Sequence, residues 1–174
     1  MGSDVLTTNV WRFVILVLVQ GLILSGIDFA TGWLQYFHLF VYPVFILLLP
    51  MRLPPIAVVG LGFFIGLSVD LFTNTIGMHA MAGSFVALMR PLAFAILAPP
   101  NGYNTTLSPT RRNMGANWTV RYAAILMAFH VLYFFCVEAF TLVYLGRIAK
   151  NFLMSYPFSL AIVTLVLLAN TSRT

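Results

Sequence analysis

Long apolar runs follow one another along this chain, separated by short polar segments, and this pattern constrains the fold more than any other feature. A membrane-spanning helix needs about 20 predominantly apolar residues. Hydrophobic residues make up 61% of the 174 positions and charged residues only 7%, against about a quarter charged in a soluble domain. We therefore predict an all-α, polytopic membrane protein that forms one integral membrane domain. Its six predicted transmembrane helices cover residues 10–29, 33–49, 56–72, 78–98, 118–145 and 152–169.

The composition also excludes several classes of function. Too few charges are present to cover a soluble globule, and the basic residues are scattered singly apart from Arg111-Arg112. A soluble enzyme, a disordered chain and a nucleic-acid-binding domain are therefore not expected. Lipid bilayer replaces water over most of the predicted surface.

Proline and glycine mark the predicted turns. Pro54-Pro55 follow Arg52 in a tight basic turn, and Pro99-Pro100 open the longest connection, residues 99–117. Pro43 interrupts the second span, which makes it the weakest of the six. Losing that span would invert every later segment.

The positive-inside rule gives the expected orientation. With six spans and a cytoplasmic N-terminus, seven of the nine Lys and Arg fall inside, including the pair in loop 99–117. We therefore predict that both termini and this loop are cytoplasmic. The inside set is Arg12, Arg52, Arg90, Arg111, Arg112, Arg121 and Arg173, and the outside set is Arg147 and Lys150.

Most of the acidic residues fall at the opposite, outer ends of the spans. Asp28 ends the first span, Asp70 lies near the end of the third, and Glu138 lies toward the outer end of the fifth. With Arg147 and Lys150 they form a predicted outer polar cluster. Two interpretations stay open: charges that anchor helices at the interface, or a polar patch that docks a partner or ligand.

Arg90 is the one charge predicted at bilayer depth, about 18 Å into the fourth span. A charge there costs about 2.5–3.5 kcal/mol on insertion scales and needs a partner or a route to water. It could extend toward the cytoplasm, bond carbonyls freed by Pro91, or contact a partner protein.

No catalytic, metal or cofactor motif stands out. His38, His79 and His130 lack ligand spacing, and no nucleophile or phosphate-binding loop is present. We expect a non-enzymatic protein without metal or cofactor. His79 follows Asp70 across one turn, so these two residues are expected to meet.

Residues 60–81, GLGFFIGLSVDLFTNTIGMHAM, carry an ordered pattern: a Gly-rich helix, an Asp, a polar turn and a Gly-x-His-Ala step. This stretch resembles the rod shape-determining MreD family of bacterial inner-membrane proteins. Similar stretches are WRFVILVLVQ, YPVFILLLPMRLP and ALMRPLAFAILAPPNGY, while the Phe-Thr-Asn-Thr turn departs from the family's commoner turn. The matching positions are Gly62, Gly66, Asp70, Ile76, Gly77, His79 and Ala80.

The resemblance implies a multi-pass subunit of the cell-elongation machinery in the bacterial cytoplasmic membrane. Such a subunit would bind the bitopic scaffold protein MreC, and through it connect with MreB filaments, RodA and the elongation penicillin-binding protein. The implied fold is similar to the six-helix substrate-binding subunits of energy-coupling transporters. A small-ligand-binding transporter subunit is the alternative. The candidate partner-binding residues are Gly62, Gly66, Asp70, Gly77, His79 and Arg90.

Overall fold

The computed structural model describes residues 3–25, 36–75, 77–100 and 102–170, and over these residues the chain is helical with no strand. Five helices are long and apolar enough to cross a membrane. The prediction of an all-α chain with several membrane-length apolar helices is confirmed, although the described residues contain five such helices where six were predicted. The helices are α1 (Ser3–Leu18, continued as a π-helix over Val19–Leu24), α2 (Val44–Leu48), α3 (Pro55–Thr73), α4 (Met78–Ile96), α5 (Arg111–Met114), α6 (Ala116–Ala139) and α7 (Leu145–Ala169).

The hairpin of α3 and α4 begins and ends within two residues of the predicted runs. Pro55 stands in the first turn of α3, where its missing N–H and fixed φ suit a helix start. Asn74 ends α3 in the left-handed region with φ +52°, and Gly77 precedes α4 with φ +77°. Local turn chemistry thus sets both helix ends.

The second predicted span differs most from expectation. Residues 37–41 belong to no helix, and α2 is only five residues long. Every residue from Phe40 to Leu49 is nevertheless buried. Irregular backbone at membrane depth is tolerated only where protein groups satisfy it, and polar side chains of neighbouring helices do so here.

Three of these side chains bond the irregular backbone directly. The Gln20 carboxamide accepts from the Val41 N–H at 2.8 Å and donates to the Leu39 carbonyl at 2.9 Å. The Ser155 hydroxyl accepts from the His38 N–H at 2.9 Å, and the Ser159 hydroxyl accepts from the Phe40 N–H at 3.0 Å. Residues 36–41 are therefore held between α1 and α7.

The last two long helices have different limits from those predicted. A single run was expected over 118–145, but α6 ends at Ala139 and Phe140 adopts a left-handed φ of +54°. The last helix then starts at Leu145 and continues through Pro157. Arg147 and Lys150, expected beside a turn, consequently lie within the first turns of α7.

Contacts define two ends of the bundle. At the basic end, which carries Arg12, Arg52, Arg111, Arg112 and Arg121, the Arg12 guanidinium donates to the Asn170 side chain at 3.1 Å. The first and last described segments therefore meet at this end. The opposite end, the Asp70 end, holds the turn between α3 and α4, the end of α6 and the start of α7. Asp28, Ile76 and Arg173 lie outside the described residues.

Candidate functional site

Asp70 lies in the last turn of α3 and caps the first turn of α4. It is 4% exposed. One carboxylate oxygen accepts from the His79 backbone N–H at 3.0 Å and the other from the Ala80 N–H at 2.9 Å. The Thr75 hydroxyl also donates to Asp70. A carboxylate at a helix N-terminus satisfies free N–H groups and favours the positive end of the helix dipole.

The expected meeting of Asp70 and His79 therefore takes place, but through the His79 backbone. The imidazole points elsewhere: its ring lies 5.4 Å from the Tyr42 ring and 4.8 Å from the Phe134 ring. The Tyr42 hydroxyl donates to the His79 carbonyl at 3.1 Å. His79 thus links the turn to the irregular segment rather than presenting a surface imidazole.

Glycines bring α3 and α4 into backbone contact. A Cβ on Gly62 would lie 2.5 Å from the Gly83 carbonyl oxygen, and a Cβ on Gly66 would overlap the His79 carbonyl. Gly60 differs, because a Cβ there meets no atom of the described residues within 4 Å. Two of the motif glycines are thus required for close helix approach, and Gly77 is required for its positive φ.

Arg90 is 3% exposed, and its side chain turns into the bundle. Its Nε donates to the Tyr122 hydroxyl at 2.8 Å and its Nη2 donates to the Leu49 carbonyl just after α2. The guanidinium also stands over the Phe94 ring, 5.2 Å from the centroid. It neither extends to water nor bonds the carbonyls near Pro91, and it holds the end of α2 against α4 and α6.

The partner-binding candidates among the side chains are consequently internal. Asp70, His79 and Arg90 are each at most 5% exposed. Any effect they have on a partner acts through the shape of the bundle, because their side chains offer almost no surface.

The outer polar cluster is partly assembled. Arg147 Nη2 lies 3.8 Å from a Glu138 carboxylate oxygen, and Lys150 Nζ lies 5.8 Å from the centroid of the Tyr36 ring. Asp28 lies outside the described residues. Glu138 and Arg147 also line a small cavity with Asn151.

The three histidines, which lack ligand spacing in the sequence, lie around one aromatic core in the structure. The Phe40 ring lies 6.1 Å from His79 and 5.4 Å from His130, while His38 lies 5.6 Å from Phe135. Within the described ranges, no group of three His, Cys, Asp or Glu residues could hold a metal ion.

An aromatic cluster orders the start of the 99–117 loop at the basic end. The Trp118 indole N–H donates to the Leu97 carbonyl at 3.2 Å and to the Tyr103 hydroxyl at 3.3 Å. Tyr103 in turn donates to the Phe94 carbonyl at 3.0 Å. Desolvation by burial raises the pKa of Tyr103 above its usual value.

Sequence reasoning missed the residues that bind the irregular segment. Gln20, Ser155 and Ser159 are single polar residues in apolar runs, and Ser155 and Ser159 are spaced to share one helix face. It also missed Gly83, the partner of Gly62, and Gly21, where a Cβ would lie 2.7 Å from the Phe72 Cβ. Their only signal in the sequence is that they are isolated polar or small residues within apolar runs.

The fold and these contacts define a class: an all-helical protein whose apolar helices are compatible with several passes through a membrane. Comparisons of the chain with protein-family models, with curated proteins and with solved structures found no match.

Proposed function

We propose that this chain is a non-enzymatic membrane subunit of the bacterial cell-elongation machinery. In this proposal it binds a bitopic scaffold protein of the MreC type in the cytoplasmic membrane and helps to organise peptidoglycan synthesis. MreB filaments, RodA and the elongation penicillin-binding protein would be reached through that scaffold. The proposed topology places the basic end, with both chain ends, in the cytoplasm.

One observation carries the proposal. The motif residues that resemble the MreD family form a single interlocked unit, in which Gly62 and Gly66 join the helices and Asp70 caps α4. Gly77 supplies the positive φ between them. Each of these motif residues therefore has a definite structural role in the hairpin, and these roles support the resemblance.

The bundle also offers a recess that side chains of a partner helix can fill. An apolar groove of about 310 Å³ runs between α1, α2 and α3, with Val10, Phe13, Phe45 and Leu61 in its walls. Close packing drives association of helices in lipid, so we place the scaffold's transmembrane helix in this groove.

Co-purification tests the proposal. The tagged chain is expressed with a bitopic scaffold protein of the MreC type, solubilised gently and analysed for stoichiometric recovery. We expect Val10→Trp, which fills the groove from a half-exposed position, to reduce recovery. Ile15→Trp is the matched control, because Ile15 is equally exposed on the same helix and does not line the groove. Absence of a stoichiometric partner with the unchanged chain would contradict the proposal.

The alternative is a transporter subunit that binds a small ligand. Its support is the polar cavity beside Glu138, but that cavity holds only about 100 Å³. Pockets for drug-sized ligands enclose about 300–1,000 Å³. This polar cavity is therefore too small for a ligand of that size, which weakens the support for the alternative.

A further inference from the structure

A small polar cavity lies between the end of α6 and the start of α7. Its volume is about 100 Å³, and its walls include Glu138, Tyr144, Arg147 and Asn151. A water molecule occupies about 30 Å³ in the liquid, so the space admits a group of only a few heavy atoms. Unlike the apolar groove beside α2, this cavity has charged side chains of both signs in its wall.

Asn151 is the unexplained member of this wall. The residue is 3% exposed, and no described residue donates a hydrogen bond to its Oδ1. Buried polar atoms in folded proteins are nearly always hydrogen-bonded. A buried acceptor in a cavity wall therefore indicates that a donor belongs in the cavity.

The charges around the cavity are separated in depth. The Glu138 side chain is 26% exposed and the Arg147 side chain is 66% exposed, so the anion lies deeper and the cation lies at the mouth. Their closest N–O distance is 3.8 Å, longer than the about 2.7–2.9 Å of a direct charge-assisted hydrogen bond. Neither charge is fully used by the other, and each remains free to bind an opposite charge.

We propose that this cavity binds a phosphoethanolamine group. Its ammonium enters the cavity and donates to Asn151 Oδ1 and the Glu138 carboxylate, while its phosphate pairs with the Arg147 guanidinium. An ammonium carries three donors, which matches the three acceptor oxygens of the wall, Asn151 Oδ1 and the two carboxylate oxygens of Glu138. Two carbons join the ammonium to the phosphate. A choline group fits poorly, because its trimethylammonium is larger and has no N–H.

The cavity lies at the ends of two membrane-length helices, the level at which lipid headgroups lie in a bilayer. The same chemistry could come from a phosphatidylethanolamine headgroup or from a free phosphoethanolamine diester. This inference does not rest on the proposed scaffold interaction, since the cavity and the apolar groove share no residue.

Binding of soluble headgroup analogues tests the proposal on the full chain in lipid-free detergent. Calorimetry with glycerophosphoethanolamine should give saturable binding, and glycerophosphocholine should give none. Asn151→Leu and Arg147→Gln should each raise the Kd about tenfold or more, since each removes a charge-assisted contact. Arg147 is well exposed, so its variant stays interpretable if Asn151→Leu fails to fold.

Lys150→Gln is the matched control, because Lys150 is an exposed cation one turn further along α7 and outside the cavity wall. Its Kd should equal that of the unchanged chain. No binding of glycerophosphoethanolamine at millimolar concentration, equal binding of the choline analogue, or an unchanged Kd in Arg147→Gln would overturn the proposal. The first of these outcomes would leave water as the occupant.

Native mass spectrometry then distinguishes the two sources. Retention of phosphatidylethanolamine over phosphatidylcholine, lost in Arg147→Gln and kept in Lys150→Gln, would support the site and assign it to a lipid headgroup. Binding of the soluble analogue without lipid retention would support the site and assign it to a free diester.

Discussion

Replacing Asp70 with alanine should destabilise the bundle far more than removing a surface carboxylate. Asp70→Ala deletes the acceptors for two backbone N–H groups at the start of α4, those of His79 and Ala80, and for the Thr75 hydroxyl. His79 is 5% exposed and Ala80 is 1% exposed. The freed donors therefore have little access to water.

The magnitude follows from these two orphaned donors. A buried donor left without its partner costs about 1–3 kcal/mol, so two of them cost about 2–6 kcal/mol. Water that enters the space left by the carboxylate would reduce this loss. The lower limit is the cost of removing an ordinary N-cap side chain, about 0.5–2 kcal/mol. We therefore expect a loss of about 2–4 kcal/mol in the free energy of unfolding for Asp70→Ala. The loss should be smaller for Asp70→Asn, which keeps one acceptor oxygen.

Unfolding in mixed micelles with increasing SDS measures this loss. Glu138→Ala is the matched control, because it removes a carboxylate at the same end of the bundle whose ion pair with Arg147 is loose, at 3.8 Å, and open to solvent on the Arg147 side. Such pairs contribute about 0–1 kcal/mol. If Asp70→Ala and Glu138→Ala lowered the free energy of unfolding equally, the capping role assigned to Asp70 would be refuted.

Three further predictions use the same assay. Gly66→Ala should lower the free energy of unfolding by about 1–3 kcal/mol, because the added methyl group overpacks against the α4 backbone. Gly60→Ala is the control and should not lower it, because a Cβ at Gly60 faces open space. Equal losses in the two variants would contradict the glycine contact. Arg90→Lys should lower the free energy of unfolding by about 1–3 kcal/mol, because a lysine ammonium cannot reproduce the planar set of donors of the guanidinium. An unchanged free energy of unfolding would refute the hydrogen bonds assigned to Arg90. Ser155→Ala and Ser159→Ala should each lower the free energy of unfolding by about 1–3 kcal/mol, because each leaves a backbone N–H of the irregular segment without its acceptor. An unchanged free energy of unfolding in both variants would contradict the role of these serines in holding the segment.

The sequence predicts the α3–α4 hairpin well because its signals are local. Pro54-Pro55 mark the start of α3, and Gly77 marks the turn that precedes α4. The approach of Asp70 to the start of α4 was expected for the same reason, since only one short turn separates them. Turn chemistry within a few residues is sufficient to derive this part of the molecule.

The irregular second segment could not be derived in the same way. Hydropathy measures how apolar a run is, and residues 36–49 are as apolar as a spanning helix. Their conformation depends on Gln20, Ser155 and Ser159, which contact the segment from helices remote in sequence. In the sequence, such tertiary hydrogen bonds are visible only as isolated polar residues within apolar runs.

The end of α6 was missed for a related reason. Apart from Glu138 and Thr141, the residues from Val137 through Leu145 are apolar or aromatic, so hydropathy predicts one long run. The helix ends because Phe140 adopts a left-handed φ of +54°, which is uncommon for a residue other than glycine. It redirects the chain so that Arg147 and Asn151 on α7 face Glu138 on α6, and it thereby forms the polar cavity.

The burial of the motif residues determines how the proposed interaction has to be tested. Asp70, His79 and Arg90 stabilise the interior, so their substitution changes the fold and the partner surface together. Loss of a scaffold partner from such variants would not locate the interface. Exposed positions can do so, because Val10→Trp and Ile15→Trp alter the surface of one helix without touching the core. A difference in partner recovery between these two variants, at equal stability, would assign the contact to the groove beside α2.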